Sequence, residues 1–301
     1  MSESVGGPAE FEELNRRGHE AAEAGGLEDA FAIFDKMLAW AQGHEAQELV
    51  DLALCNRAAV AVVLGRGEAE LPRLRKILVG SSDPANCQLA AYNIARHYEL
   101  TRSYKKAFFY ARIARERAEQ QERKEWMAAS RNLIGNILLA ESFVEKAARE
   151  FEKALELMPE ESSVWRARVL DNLGYCRILQ GRYPEGYSLL YSSLADLRRH
   201  RAERYLISTH MDLCFAHLET GRYRHARRHG AAALRLAERM EERDSVKNAL
   251  YLLGETANLS GDVIGACRFF NRLQRDFFPE VNYLPGFLLA VDVRKLVNLH
   301  A

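Results

Sequence analysis

Six pairs of small residues, each pair twelve positions apart, constrain most strongly what this 301-residue chain can fold into. They are Gly18/Ala30, Ala95/Ala107, Gly135/Ala147, Gly174/Gly186, Cys214/Ala226 and Gly254/Ala266. The first member of each pair lies in an apolar segment of helical period. A turn follows about seven residues later, marked by Gly181, Gly221 and Gly261 in the later pairs. Two helices joined this way run antiparallel, and small residues on both let the axes approach closely. Phe34, Phe151, Leu190 and Phe270 stand four residues past the second small position and fill the space beside the contact. One hairpin cannot bury its own apolar face, so hairpins must stack. A looser repeat fits if Ala58 takes the first position, which puts Glu70 at the second. The expected fold is all-α: about seven hairpins over residues 11–280, a flexible N-terminus at 1–10 and a capping helix at 281–301.

The stretch 131–159, RNLIGNILLAESFVEKAAREFEKALELMP, resembles a tetratricopeptide repeat. Ile134, Gly135, Leu138, Ala147, Phe151, Ala154 and Pro159 stand in that family's signature places. The resemblance covers roughly residues 11–280 and implies a right-handed superhelix, an α-solenoid of stacked antiparallel hairpins. Three features depart from the family: the second unit is degenerate, Gly230 replaces an aromatic in the sixth unit, and the period is near 40 rather than the usual ~34. HEAT or armadillo-like repeats share a period of ~40 to 47 but do not require the paired small residues. The resemblance implies a non-enzymatic scaffold or adaptor that binds a protein or peptide partner. The alternative it offers is a peptide- or ligand-sensing regulator that acts through a change in superhelix pitch.

Composition narrows the chemistry. At 48% apolar and 28% charged residues, the chain can bury a large core and lacks the signature of disorder. Net charge is zero, yet residues 1–51 carry twelve acids against three bases; that segment holds −9 and the rest +9. This polarity motivates an expectation of head-to-tail self-association. Five dispersed cysteines without a C-x-x-C fit a reducing cytoplasm, and neither a signal peptide nor an apolar run of membrane-spanning length is present. No phosphate loop, dinucleotide fingerprint, nucleophile elbow or H-E-x-x-H motif marks an active site, and no cofactor is implied. His225 and His229 are spaced for one helical face, but Arg224, Arg227 and Arg228 surround them and argue against a metal. Cys176 and Cys214 read as packing residues.

Recognition is then assigned to the first helices of the hairpins, whose inward stripe forms a groove. Its candidate residues are Tyr92, Arg96, Asn132, Asn136, Arg168, Asp171, Asn172, Tyr175, Met211, Phe215, Tyr251 and Asn258. Asn132, Asn136 and Asn172 would pair with a partner's main chain, Arg96 and Arg168 would meet acidic groups, and the aromatic residues would supply contact area. The carboxylate clamp of chaperone-binding family members fits poorly, because Asn132, Ser208 and Asp212 stand where its cations would be. Arg224, Arg228, Arg235 and Arg239 form a separate basic stripe on the outer side of a second helix. Nearby Glu238, Glu241 and Glu242, and the lack of interleaved aromatics, argue against nucleic acid there.

Overall fold

The computed structural model describes residues 7–294 and 298–300, and those residues contain fifteen α-helices and no strand. Two compact units divide between Ile137 and Leu138. Nothing in the composition marks that division, which falls inside one helix of an array expected to be continuous. The first unit holds α1 (Pro8–Glu23), α2 (Leu27–Gly43), α3 (Gln47–Val63), α4 (Leu71–Gly80), α5 (Pro84–Leu100), α6 (Tyr104–Gln120) and most of α7 (Lys124–Ala140). The second holds the end of α7 and α8 (Val144–Leu157), α9 (Val164–Leu179), α10 (Tyr183–Arg199), α11 (Glu203–Glu219) and α12 (Tyr223–Arg239). It continues with α13 (Arg243–Leu259), α14 (Val263–Phe277) and α15 (Leu284–Ala290). Residues 1–6, part of the expected flexible N-terminus, lie outside the described residues, whereas Pro8 onward is already helical.

Within each unit, successive helices pack as hairpins around the small positions. A Cβ on Gly18 would come 2.4 Å from Phe34 Cε1, and one on Gly174 would come 2.9 Å from Leu190 Cγ. Phe34, Phe151, Leu190 and Phe270 are fully buried, each contributing roughly 1.5–3 kcal/mol of apolar transfer. Hydrogen-bonded caps start several helices: Ser163 Oγ accepts from Arg166 N at 3.1 Å before α9, and Asp262 Oδ1 accepts from Gly265 N at 2.9 Å before α14. The left-handed residue that closes α9 is Gly181 at φ +74°, a conformation glycine adopts without steric penalty.

The looser second repeat survives by ion pairing. Glu70 occupies the small position at the end of a 3₁₀ turn, Gly67–Glu70, and is buried with both carboxylate oxygens on the Arg57 guanidinium at 2.9 and 3.0 Å.

The expected capping helix over 281–301 is much shorter. It runs only from Leu284 to Ala290, and Val291 is already extended at φ −124° and ψ 124°. Two β-branched valines flank Asp292, whose Oδ1 accepts from Arg294 N at 3.1 Å, a local turn that competes with helix.

Candidate functional site

In the second unit, α9, α11 and α13 each present a stripe of polar and aromatic residues at helical spacing. α9 contributes Asp171 and Tyr175; α11 contributes Met211, Asp212, Phe215 and Glu219; α13 contributes Asn248, Tyr251, Glu255 and Asn258. The segment after α15 meets these three stripes. His300 Nε2 lies 3.0 Å from Asp212 Oδ1, and its ring sits 4.3 Å from the Tyr175 ring, which is itself 5.7 Å from Phe215. Asn248 donates to the Leu299 carbonyl at 3.4 Å, and Asn258 donates to that of Leu289 at 3.3 Å. Arg294 pairs with Glu219 at 2.8 Å. Asn298 Nδ2 donates to the Leu139 and Ala140 carbonyls in the last turn of α7, at 3.0 and 3.1 Å.

Carboxylates dominate the electrostatics. Asp212 is 1% exposed and Asp171 3%, and one oxygen of each has no hydrogen-bond partner. Burial, followed by the charge of Asp212, raises the Asp171 pKa well above the usual carboxylate range. Burial also opposes charge on His300, but the charge and hydrogen bond of Asp212 outweigh it, with a further contribution from Asp171, and the imidazole is raised. Glu255 is pushed up to about 7 by burial and then by Asp292, against the opposing charge of Arg294. A row of partly desolvated carboxylates, with amides that donate to main-chain carbonyls and a tyrosine ring, suits an extended segment bearing cationic side chains.

The residues expected to form one groove fall in two units. Tyr92, Arg96, Asn132 and Asn136 belong to the first, where Arg96 pairs with Glu99 at 2.5 Å. Arg168, Asp171, Asn172, Tyr175, Met211, Phe215, Tyr251 and Asn258 belong to the second. Of these, Asp171, Tyr175 and Phe215 join the cluster around the segment after α15, and Asn258 meets Leu289 within α15. Arg168 instead stacks over Trp165 and Tyr205, at 5.5 and 4.5 Å. Asn248 and Asn258 donate to main-chain carbonyls. The sequence reading does not single out Asp212 and Glu219 as candidate site residues, nor His300 and Arg294, which they meet. Asp212 had been noticed only as the wrong charge for a clamp.

On α12, Arg224, Arg228, Arg235 and Arg239 are exposed. Arg239 parts from the others by pairing with Glu203 at 2.7 Å. Among the described residues, no three His, Cys, Asp or Glu side chains are placed to hold a metal ion, and no helix is long and apolar enough to cross a membrane. Four of the five free cysteines are buried, and burial raises Cys176 and Cys214 to about 12.

No protein family's model matches the chain, and no curated protein matches it. Solved structures do. The apo form of RapI aligns with a TM-score of 0.62 at 14% identity, over 88% of this chain and 76% of RapI. PilW, a type IV pilus biogenesis factor, aligns with a TM-score of 0.58 at 20% identity, over 79% and 98%. A Rap protein complexed with Competence and Sporulation Factor aligns with a TM-score of 0.55 at 14% identity, over 96% and 98%. The fold is that of tetratricopeptide-like helical repeat proteins, an α-solenoid of packed hairpins.

Proposed function

We propose that the second unit is a protein-binding scaffold that takes an extended, cation-bearing segment across α9, α11 and α13. In this reading, residues 291–294 and 298–300 act as an internal stand-in that a partner displaces. The observation that carries it is the seating of His300 between the Asp212 carboxylate and the Tyr175 ring, with the Leu299 carbonyl held by Asn248. The Rap protein complexed with Competence and Sporulation Factor supports a binding role for this fold.

A fitting partner places one cation against Glu219 and a second against Asp212, in the way that Arg294 and His300 do. Six residues of extended chain reach at most about 20 Å between those cations. Because the internal segment competes at an effective concentration in the millimolar range, it weakens any added ligand.

A labelled peptide with the sequence of residues 291–301 tests this reading when titrated into the full chain. The Arg294→Ala/Asn298→Ala/His300→Ala variant is expected to bind it at least about tenfold more tightly than wild type. Adding Asp212→Asn should abolish that gain. Equal binding by both chains, or indifference to Asp212, contradicts the proposal.

A further inference from the structure

In the same unit, α10, α11 and α12 line an open cleft of about 860 Å³ on which the arginines of α12 converge. Arg224, Arg228 and Arg235 line it with Arg198 and Tyr191 from α10 and with His210 and His229, and no carboxylate does so. Arg198, Arg224, Arg228 and Arg235 have no ion-pair partner among the described residues. The acids that lie near the stripe in sequence do not neutralise it. Glu238 pairs with Arg272 at 2.6 Å and Glu242 with Arg204 at 2.9 Å, while Glu203 engages Arg239 outside the cavity. Glu238 and Glu242 are thus engaged by other helices, and Tyr191 of α10 supplies an aromatic face to the cavity.

The histidines add donors. His210 Nδ1 and His229 Nδ1 are 2.9 Å apart, so one donates and the other accepts, which leaves a proton on the accepting ring's Nε2. Tyr191 Oη lies 2.9 Å from His217 Nε2 behind them. Burial first, then neighbouring histidines and arginines, lowers His210, His217 and His229 to about 4. These rings are neutral beside five lining guanidinium groups, of which Arg227 has Asp262 at 4.0 Å, and an anion would relieve the repulsion that helps keep them so.

The size of the site limits its ligand. From Arg224 to Arg235, α12 advances about 16 Å at ~1.5 Å per residue, too far for one phosphate to bridge. The cavity volume falls within the usual range of small-molecule sites, and guanidinium forks match phosphate oxygens in pairs. We propose that this pocket binds a compact polyphosphate anion of nucleoside-triphosphate size.

Calorimetry on the full chain with inorganic tripolyphosphate, ATP and inorganic phosphate, at a fixed ionic strength of about 0.15 M, tests it. Tripolyphosphate and ATP are expected to bind and inorganic phosphate to bind far more weakly. Arg228→Ala/Arg235→Ala should lose at least about tenfold in affinity. Arg239→Ala, on the same helix but paired with Glu203, should bind as wild type. All the altered side chains are exposed, so folding is preserved and circular dichroism verifies it. ATP binding more tightly than tripolyphosphate, with Tyr191→Ala erasing the difference, identifies a nucleotide; equal binding identifies the phosphate chain alone, and either supports the site. The proposal is overturned if neither anion binds, if Arg239→Ala loses as much as the double variant, or if an oligonucleotide binds where both small anions fail.

Discussion

Gly254 on α13 and Phe270 on α14 offer a sharp test of how the hairpins are built. A methyl at Gly254 would stand 2.2 Å from Phe270 Cε1 and 2.5 Å from its Cδ1. The ring is fully buried and has nowhere to retreat. Overpacking of this kind costs about 1–3 kcal/mol, against which Gly→Ala in a helix interior gains about 1 kcal/mol. Gly254→Ala alone is therefore expected to destabilise the chain by about 1 kcal/mol. Phe270→Ala alone empties the space and costs about 3–5 kcal/mol. With the ring gone, the three nearest contacts of the added methyl are removed and its helix preference dominates, so Gly254→Ala becomes stabilising by about 1 kcal/mol. The effect of one substitution thus reverses sign with its background, a coupling of about 2 kcal/mol. Denaturant unfolding of the four chains, followed by circular dichroism, reads this as shifts in midpoint. If Gly254→Ala has the same sign and size in both backgrounds, the small position does not exist to admit the ring.

Two further outcomes follow from the backbone and from ionisation. Glu241 closes α12 at φ +55°, where a side chain is strained by about 1–2 kcal/mol; Glu241→Gly should raise the unfolding midpoint, and a lowered one would show that the strain is not relieved there. Docking of residues 291–294 and 298–300 should weaken as pH rises. His300, with its folded pKa raised, contributes fully below its ordinary value near 6.5 and loses that contribution as pH climbs through the folded value. Glu255, raised to about 7, adds a penalty of the same sign that grows from its ordinary value upward. Hydrogen-exchange protection factors at 291–294 and 298–300, taken at about pH 6 and about pH 8, should fall with pH, and Glu255→Gln should flatten the trend. Unchanged or rising protection contradicts the assignment.

The hairpins were legible because their determinants are local: residue size at a twelve-residue interval, helical period, and a filler four residues on. The same reading located glycine turns such as Gly181. It could not locate the turns at Glu122, Arg201 and Glu241, where non-glycine residues take positive φ. The recognition chemistry was hidden for a different reason. Asp212 and His300 are 88 positions apart, and only the path of the chain after α15 joins them. Likewise, no interval marks Asn248 as the partner of Leu299. The basic pocket shows the same limit from the other side. α12 displays its arginines in sequence, yet whether Glu238 and Glu242 cancel them depends on Arg272 and Arg204, which lie on other helices.

The function proposed for the second unit requires that Asp212 recognise a cationic side chain of an extended segment. The most direct test is the coupling between that carboxylate and the histidine of an added peptide. The 291–301 peptide and its His→Ala form would be titrated into the Arg294→Ala/Asn298→Ala/His300→Ala chain, with and without Asp212→Asn. A charge-assisted hydrogen bond predicts that the histidine contributes about tenfold or more to affinity when Asp212 is present and almost nothing when it is absent. If the histidine contributes equally in both chains, Asp212 does not read it, and the groove assignment fails.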